Sequence, residues 1–406
     1  MLRWVRRLST TGTSLSRVPS SNGRPLLETT KKVEEEKFPW YDQNTYYPVR
    51  IGQTFQSRYH ILSKLGYGTS ATVWLARDSL ENKYVVIKVC TSNYPSVPRE
   101  KAAFQRLRPL RKSSVVQQCW ENFAVRGAEG NVHECFVLQP LCPNLAHFGE
   151  HVAHRWEDLK SFRTMARSIF EALKLLHTEA HLIHCDLRPE NFLLSTATDT
   201  VFRAMEEHEA SDPSPCKIDG DRVVHTTPYA MIPDDVTGIV LTDLGEARPG
   251  NTSTPYYDDI EPFPYRAPEI IFCVPFSYPV DVWNAAVMLW HMFERKPLFH
   301  PYTSKGEEVD LFHLRQMVHV IGLPPSSLLE RSADREFIHQ RYFDRNGQWI
   351  AMIPLNSNIT LEMREQRLEG DEKAEFLRFM RRCLQWEPEK RATAAELCND
   401  PWLNPT

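Results

Sequence analysis

Two features of this sequence could together bind phosphate groups: a glycine-containing loop and a lysine at the end of an apolar run. The loop is Leu65-Gly-Tyr-Gly-Thr-Ser-Ala-Thr-Val73, where glycines let backbone N–H groups approach a phosphate without an obstructing Cβ. Taken alone, an ordinary β-turn explains this loop equally well. The lysine is Lys88, which ends Val85-Val-Ile and is costly to bury unless an anion lies beside it. The only acid between Lys88 and Glu121 is Glu100, at the start of a segment with a helical pattern.

Further motifs with polar and charged residues follow along the chain. In order, they are His184-Cys-Asp-Leu-Arg-Pro-Glu-Asn191, Val240-Leu-Thr-Asp-Leu-Gly245, Tyr265-Arg-Ala-Pro-Glu269, the helical segment with Asp281-Val-Trp283, and the late Arg391. Together with the glycine-rich loop and Lys88, this order resembles the eukaryotic protein kinases over residues 59 to 403. The resemblance implies transfer of the γ-phosphoryl group of ATP to a serine or threonine of a protein, with Mg²⁺ as the metal cofactor.

The resemblance also implies a role for each motif residue. The implied catalytic residues are Asp186 as the base, Arg188 as a stabiliser of developing charge, and Lys88, held by Glu100, which orients the phosphates. The implied Mg²⁺ ligands are Asn191 and Asp243, and Arg391 is expected to pair with Glu269. The implied ATP-binding residues are Leu65, Gly66, Tyr67, Gly68, Ala71, Val73, Val86 and Lys88, the gatekeeper Leu138, and the backbone of Gln139 and Leu141.

A narrower resemblance is to the SR-protein kinases, which act on serine/arginine-rich splicing factors, and especially to their fungal members. The matching segments are Tyr46-Tyr-Pro-Val49, Arg58-Tyr59, Lys64-Leu-Gly66, Thr72-Val-Trp-Leu-Ala76, the insert at 195–238, Asp243-Leu-Gly245, and His313-Leu314 with Gln316-Met317. This likeness implies a role in mRNA processing, a cytoplasmic or nuclear location, and serine in arginine-rich protein segments as the substrate. It implies no direct contact with nucleic acid.

Acidic side chains are the candidates for recognising arginine in such a substrate. They are Asp258, Asp259 and Glu261 in the activation segment, and Glu307, Glu308 and Asp310 before the predicted extra helix. A solvated acidic face without a binding role is the alternative interpretation.

Four departures from the kinase pattern bear on activity. Ala71 replaces the third loop glycine, and Val86 narrows the roof of the nucleotide pocket by two methyl groups. Arg188 replaces a lysine and keeps the positive charge. The charge lies on a planar guanidinium group and not on a compact ammonium group. Cys185 replaces the arginine that clamps a phosphorylated activation loop. Val86 and Arg188 leave a pseudokinase scaffold as one alternative. A small-molecule phosphotransferase of the aminoglycoside or choline kinase type, which also has a His-x-Asp-x-x-x-x-Asn loop, is another.

The elements that must position these residues follow from hydrophobic periodicity. Short β-branched and aromatic runs predict strands at Tyr59–Leu62, Thr72–Ala76 and Tyr84–Val89. Later segments have helical periodicity, and the predicted helices are Trp156–His177, Pro279–Phe293, Val309–Ile321 and Glu372–Trp386. Strands first and helices later predict an α+β fold, with a small β-rich lobe followed by a larger helical lobe. The kinase resemblance implies that this is the bilobal protein kinase fold, with an N-lobe at 59–141 and a helical C-lobe at 142–403.

Two segments fall outside that scheme. Residues 1–27 are basic and rich in serine and threonine, and Leu2, Trp4, Val5 and Leu8 share one arc of a helix, as in a mitochondrial transit peptide. The alternative is that residues 1–27 are a disordered basic tail. Residues 28–58 are predicted as an N-terminal extension. The acidic insert at 195–238 is too long for a structureless loop in a compact domain, which predicts a flexible or accessory segment.

Composition limits the remaining function classes. The net charge of −4 leaves no basic field for non-specific nucleic-acid binding. Nine scattered cysteines without a Cys-x-x-Cys pair indicate reduced, mostly buried thiols of an intracellular protein. The longest apolar stretch, Val282 to Phe293, is interrupted by Asn284 and His291 and is too short to span a bilayer. We therefore expect a soluble monomer without a transmembrane segment.

Overall fold

The computed structural model describes residues 3–5, 18–19, 23–110, 113–127, 130–147, 158–228, 230–303, 305–306, 309–355 and 359–405. The strands are β1 (Arg3–Val5), β2 (Val18–Pro19), β3 (Pro25–Leu26), β4 (Thr54–Phe55), β5 (Tyr59–Tyr67), β6 (Ala71–Asp78), β7 (Lys83–Cys90), β8 (Cys119–Arg126), β9 (Val132–Leu138), β10 (Cys142–Asn144), β11 (Leu182–Ile183), β12 (Phe192–Thr196), β13 (Cys216–Asp219), β14 (Arg222–His225), β15 (Ala230–Ile232), β16 (Val236–Leu241) and β17 (Arg248–Pro249).

The α-helices are α1 (Ser96–Leu107), α2 (Leu159–Leu175), α3 (Thr200–Ser211), α4 (Pro268–Ile271), α5 (Pro279–Glu294), α6 (Asp310–Ile321), α7 (Ser326–Leu329), α8 (Arg335–Arg341), α9 (Leu361–Arg364), α10 (Gly370–Cys383) and α11 (Ala394–Leu397). Short 3₁₀ segments lie at Glu34–Lys37, Arg108–Leu110, Pro189–Asn191, Phe263–Tyr265 and Pro388–Lys390, and a π-helical turn lies at Leu176–Ala180. The chain forms two compact units, residues 1–144 with 193–240, and residues 145–192 with 241–406.

The first unit is built on a six-stranded antiparallel sheet in the order β4-β5-β6-β7-β9-β8. Its central strand, β7, is rich in valine and isoleucine, and seven of its eight residues are buried, which is typical of a strand covered on both faces. Helix α1 follows β7 directly in the chain. The predicted strands at Tyr59–Leu62, Thr72–Ala76 and Tyr84–Val89 are confirmed within β5, β6 and β7.

The second unit is helical, and α5 is the most buried of its long helices. Twelve of the sixteen residues of α5 are buried, because its side chains are apolar on nearly every face. Helix α2 begins at the N-cap Asp158, whose carboxylate accepts hydrogen bonds from the N–H groups of Lys160 and Ser161. The four helices predicted for this part of the chain are confirmed as α2, α5, α6 and α10, with ends that differ by a few residues.

The acidic insert was predicted to be flexible or accessory, and the structure shows the accessory alternative. It contains α3, the β13–β14 hairpin and β15, and it belongs to the first unit, although the sequence placed it within the C-lobe. Leu26 in β3 pairs in parallel with Cys216 in β13, so the insert and the N-terminal extension share one four-stranded sheet. The insert is therefore an ordered accessory element.

The N-terminal segment also differs from its prediction. Arg3–Val5 form strand β1, antiparallel to β15, where the sequence predicted an amphipathic helix. Because side chains alternate across a strand, Trp4 and Val5 cannot share one arc as they would in a helix. The helix behind the mitochondrial-import interpretation is thus absent at these three residues, and most of residues 1–22 lie outside the described part of the chain.

None of the helices in the described residues is long and apolar enough to cross a membrane. Seven of the nine cysteines are buried, as their scattered spacing predicted.

Candidate active site

The glycine-rich loop joins β5 to β6, and its carbonyl groups have hydrogen-bond partners. Gly66 pairs with Val73 across the two strands, and Gly68 N–H donates to the Ala71 carbonyl at 2.8 Å to close the turn. The Tyr46 hydroxyl lies 3.0 Å from the Gly68 carbonyl and 3.2 Å from the Thr69 carbonyl, and its single proton is shared between them. A Cβ on Gly68 would meet no atom closer than 4.0 Å, so the packing of the turn does not itself require glycine there.

Lys88 and Glu100 form the ion pair that the sequence predicted. Lys88 Nζ lies 2.6 Å from Glu100 Oε1, and both residues are buried, at 8% and 2% exposure. The β-sheet fixes Lys88 through β7, while α1 supplies Glu100. A buried charge pair of this kind costs desolvation energy, so it is weak evidence for stability alone and better evidence for a role in binding or catalysis.

The candidate adenine-binding residues lie at the end of the same sheet. Val86 in β7 faces Leu138 in β9 directly in the strand register, and both are buried. Gln139 N–H already donates to the Gln118 carbonyl at 3.2 Å. The Gln139 carbonyl receives a long contact of 3.5 Å from Gln117 Nε2, which leaves it able to accept a hydrogen bond from an N–H donor of a base.

In the second unit, Asp281 at the start of α5 organises the His184–Asn191 loop. Its Oδ2 accepts hydrogen bonds from His184 N–H at 2.8 Å and from His177 Nε2 at 2.9 Å. Its Oδ1 accepts one from Cys185 N–H at 3.0 Å. Burial opposes ionisation of Asp281, but the hydrogen bonds from the His177 ring and the His184 backbone outweigh it and lower the pKa of the carboxyl. The side chain is fully buried and acts as an ionised anchor for the loop.

The His184 ring has a single consistent tautomer. Asp186 N–H donates to His184 Nδ1 at 3.3 Å, so that nitrogen is an acceptor. His184 Nε2 lies 3.1 Å from the Thr242 carbonyl and therefore carries the proton. The ring thus connects the loop that carries Asp186 to the strand that precedes Asp243.

Asp186, Arg188 and Asn191 lie together on this loop. Asn191 Nδ2 donates to the Asp186 carbonyl at 2.8 Å and to Asp186 Oδ2 at 3.0 Å. Arg188 Nε lies 3.5 Å from the same carboxylate oxygen, and Arg188 is 44% exposed. Burial of Asp186 raises its pKa, and the nearby charge of Asp243 also raises it. The neighbouring Arg188 and His184 lower it. The pKa of Asp186 is therefore higher than that of an ordinary aspartate, so this carboxylate is a stronger base.

The oxygen atoms available here fit a magnesium ion. Since Asn191 Nδ2 already donates to Asp186, the side-chain amide oxygen of Asn191 is the atom left to bind a metal. Thr242 N–H and its hydroxyl both donate to the Asn191 carbonyl, at 2.8 and 3.0 Å, and place Asp243 next to this loop. Asp243 has a φ of 60°, an uncommon backbone conformation for a residue other than glycine that is often found at functional sites.

These ligands are too few to bind a metal alone. Within the described ranges, no group of three or more His, Cys, Asp or Glu side chains is placed to hold one. Mg²⁺ is commonly bound by one or two carboxylates together with substrate phosphates and water, so Asn191 and Asp243 fit a metal that arrives with a phosphate-bearing ligand.

The segment after Asp243 is held by a backbone hydrogen bond to the loop and by ion pairs between side chains. Glu261 N–H donates to the Cys185 carbonyl at 3.1 Å. Arg248 Nε contacts Asp258 Oδ2 at 3.2 Å. Further along, Arg391 forms a bidentate ion pair with Glu269, with both N–O distances at 2.6 Å and both side chains fully buried. That pair is the one that the resemblance implied.

The acids predicted to receive substrate arginine are in part engaged already. Glu261 is 92% buried, with 8% exposure, and it accepts a hydrogen bond from Ala267 N–H at 2.7 Å; burial raises its pKa well above the usual range. Its assignment as an exposed recognition residue is wrong, because its side chain points into the fold. Asp258 and Asp259 remain exposed, at 51% and 76%, although each contacts an arginine.

Glu307 and Glu308 lie outside the described residues. Asp310 is the first residue of α6 and is partly buried.

Sequence reasoning missed three residues that position this site. Tyr46 and Asp281 were named only as part of longer motifs, and His177 only as the last residue of a predicted helix. A buried aspartate near the start of a helix is a detectable signal for an anchor such as Asp281. No local pattern marks Tyr46, since its contacts with Gly68 and Thr69 span 22 and 23 residues.

Comparison with known proteins agrees with these observations. Residues 59–403 match the protein kinase domain family. A serine/threonine protein kinase of Aspergillus fumigatus is 33% identical, and the alignment covers 95% of each chain. The serine/threonine-protein kinase SRPK of Physarum polycephalum is 28% identical over 91% of each chain. SRSF protein kinase 3 of Mus musculus is 24% identical over 92% of this chain and 91% of its own.

Proposed function

The chain belongs to the protein kinase family and is a serine/threonine protein kinase; from this membership we propose that it transfers the γ-phosphoryl group of ATP to serine in arginine-rich protein segments. The observation that carries the catalytic part is the contact between Asn191 and Asp186, at 3.0 Å to the carboxylate. One side chain orients a base of raised pKa and leaves its own oxygen for a metal. A protein that only bound nucleotide as a scaffold would not need the oriented base.

In the proposed reaction each group of the chain has a distinct task. Asp186 accepts the proton of the substrate hydroxyl, and Arg188 supplies positive charge beside that carboxylate. Lys88, held by Glu100, binds the phosphates of ATP, while Gly66 and Gly68 allow backbone N–H groups to approach them.

Nucleotide and metal complete the proposed site. Leu65, Tyr67, Ala71, Val73 and Val86 would line the adenine and ribose side, with the backbone of Gln139 and Leu141 reaching the base. Asn191 and Asp243 would hold Mg²⁺. When bound, the ion would neutralise part of the negative charge of the phosphates. Catalysis on this basis is mostly positioning and electrostatics.

The arginine preference rests on the SRSF protein kinase relatives and on two exposed acids of the activation segment. Asp258 and Asp259 contact Arg248 and Arg266 but keep half or more of their surface exposed. Each exposed ion pair with a substrate arginine contributes only about 0.2–1 kcal/mol. Selectivity therefore needs several acids acting together and should weaken as salt screens them. The same relatives support a cytoplasmic or nuclear location and a role in mRNA processing as part of this proposal.

The catalytic part is tested with Asp186→Asn. The substituted amide can still accept a hydrogen bond from Asn191, so folding and MgATP binding should stay near wild type. Loss of a positioned base should lower kcat by about 10²- to 10⁴-fold. The exposed carboxylate of Asp371 offers a matched control in the same unit, Asp371→Asn. Equal kcat in Asp186→Asn and wild type would show that Asp186 is not the base.

The substrate part is tested with a serine peptide array. Arginine-flanked serines should be phosphorylated faster than arginine-free ones at low salt, and the ratio should fall at high salt. Asp259→Asn, at the more exposed of the two acids, should reduce the ratio without changing rates on arginine-free peptides. Equal rates on both peptide classes at low salt would leave a serine/threonine kinase without this preference.

A further inference from the structure

The N-terminal extension and the insert meet the glycine-rich loop within the first unit, at Tyr46. Tyr46 is 4% exposed, and its ring packs against that of Tyr41 with 5.3 Å between centroids. Burial raises the pKa of its hydroxyl, which keeps the proton that the hydroxyl donates to the Gly68 and Thr69 carbonyls.

Fixing these carbonyls fixes the direction of the loop N–H groups. In a trans peptide the C=O and the following N–H point in opposite directions, and the described chain has no cis peptide bond. Holding the Gly68 and Thr69 carbonyls toward Tyr46 therefore directs the N–H groups of Thr69 and Ser70 away from it. The next carbonyl, of Ser70, accepts from Thr91 N–H at 2.8 Å, so three successive carbonyls are held by side chains or backbone outside the loop.

The insert in turn holds Tyr46. Arg222, the first residue of β14, donates from Nη1 to the Tyr46 carbonyl at 3.0 Å and to the Gln43 carbonyl at 2.6 Å. Four residues on from Tyr46, Arg50 Nη2 donates to the Asp221 carbonyl at 2.6 Å. Hydrogen bonds therefore run without interruption from the insert, through the extension, to the glycine-rich loop.

We propose that Tyr46 is a positioning residue for nucleotide binding, and that the insert supports it through Arg222. The Tyr46 hydroxyl pre-organises the loop so that its N–H groups face the phosphates of ATP, and Arg222 holds the Tyr46 backbone in place. The part of this inference that concerns catalysis rests on the proposed function. The part that concerns loop order does not.

The test uses the full chain and Tyr46→Phe, which removes only the hydroxyl. A lost hydrogen bond of ordinary strength should raise the Kd for MgATP and the KM for ATP about 3- to 10-fold, with kcat and the peptide KM nearly unchanged. Tyr47→Phe is the matched control, because the Tyr47 hydroxyl contacts the Gln53 side chain and not the loop. A merely structural role would lower thermal stability without this split between KM and kcat.

Amide hydrogen exchange of residues 66–70 in nucleotide-free protein tests loop order separately. Tyr46→Phe should exchange faster there than wild type and Tyr47→Phe. Exchange and MgATP affinity equal to those of Tyr47→Phe would overturn the role of Tyr46. If wild type binds MgATP but phosphorylates no peptide, the proposed function fails, while the exchange and affinity results still decide this inference.

The insert part is tested with Arg222→Gln against Arg203→Gln, an exposed arginine of α3 in the same insert. Arg222→Gln should raise the Kd for MgATP, as Tyr46→Phe does. In the double variant the fold-increase in Kd should be smaller than the product of the two single fold-increases. Arg203→Gln should leave the Kd unchanged. An Arg222→Gln variant with wild-type affinity and loop exchange would overturn the link to the insert.

Discussion

At the scale of single residues, the site depends on side chains that never touch a substrate. Asp281 receives three hydrogen bonds, from His177, His184 and Cys185, and is fully buried. All three partners act as donors, so the position requires an acceptor on both side-chain oxygens. This requirement explains why an ionised carboxylate, costly to bury, occurs at the start of an apolar helix.

Asp281→Asn should destabilise the protein by about 1–3 kcal/mol and reduce phosphoryl transfer. The amide nitrogen of asparagine cannot accept, so at least one N–H group of the loop would be buried without a partner. Urea unfolding followed by circular dichroism measures the loss, with the exposed Asp371→Asn as control. Wild-type stability in Asp281→Asn would show that the loop does not depend on this carboxylate.

Asp243→Ala should abolish the magnesium-dependent part of ATP binding, because no other carboxylate of the proposed set would then hold the metal. Thermal shift with ATP, with and without Mg²⁺, measures this. Wild type should gain stability from MgATP beyond that from ATP with a chelator, and the variant should show no such difference. The same gain in both proteins would place the metal elsewhere.

At the scale of elements, the activation segment is anchored without any phosphate. Cys185 cannot pair with a phosphate group, but its carbonyl accepts a hydrogen bond from Glu261 N–H at 3.1 Å. Arg248, which leads into the segment, pairs with Asp258 at 3.2 Å. Backbone and ion-pair contacts thus occupy the role that an arginine–phosphate pair has in phosphorylation-dependent segments.

Bacterially produced enzyme treated with phosphatase should therefore phosphorylate peptides as fast as untreated enzyme. The two samples are compared by initial rate after mass spectrometry has verified dephosphorylation. The physical reason is that Cys185 offers no charge for a phosphate to order. A large loss of rate on dephosphorylation would contradict it and would indicate another cation as the phosphate partner.

Local sequence patterns predicted those strands and helices whose formation depends on neighbouring residues. The strands around Lys88 and the helix of Asp281 have strong β-branched runs or apolar periodicity, and both were found where expected. The sequence left open whether the insert is flexible or accessory, because its strand β13 pairs with Leu26, about half the chain away, and no window of neighbouring residues contains that information. Glu261 was misjudged for a similar reason, since burial of an acid is decided by tertiary contacts.

At the scale of the molecule, the first unit is assembled from two separate stretches of the chain, and Lys64 lies where the extension, the central sheet and the insert meet. Lys64 is fully buried on β5. Its Nζ contacts Glu34 at 3.0 Å, Glu35 at 2.6 Å and the His225 carbonyl at 2.9 Å. Nearby, Lys217 of the insert pairs with Glu36 of the extension at 2.6 Å. These contacts connect the extension, the central sheet and the insert through buried charges.

Lys64→Met should therefore destabilise the protein by about 3–5 kcal/mol, because it leaves the buried carboxylate of Glu35 without its partner. Lys31→Met, which breaks a half-exposed pair with Glu28, is the matched control and should change stability by less than about 1 kcal/mol. Urea unfolding measures both. The double variant Lys64→Met with Glu35→Leu should regain most of the loss, since it removes the unpaired charge as well.

The pH dependence of the Lys64→Met variant follows from Glu35. Burial already raises the pKa of Glu35 above its ordinary value of 4.5, and the charge of Lys64 lowers it. Without Lys64 the folded-state pKa should rise further. A carboxyl whose folded pKa exceeds its unfolded pKa loses stability as pH rises between the two values. The deficit relative to wild type should therefore be smallest below pH 4.5 and grow as the pH is raised toward neutrality. A stability deficit that is the same at every pH would show that the loss of Lys64 does not change the pKa of Glu35. The extension and the sheet would then not be coupled through this pair.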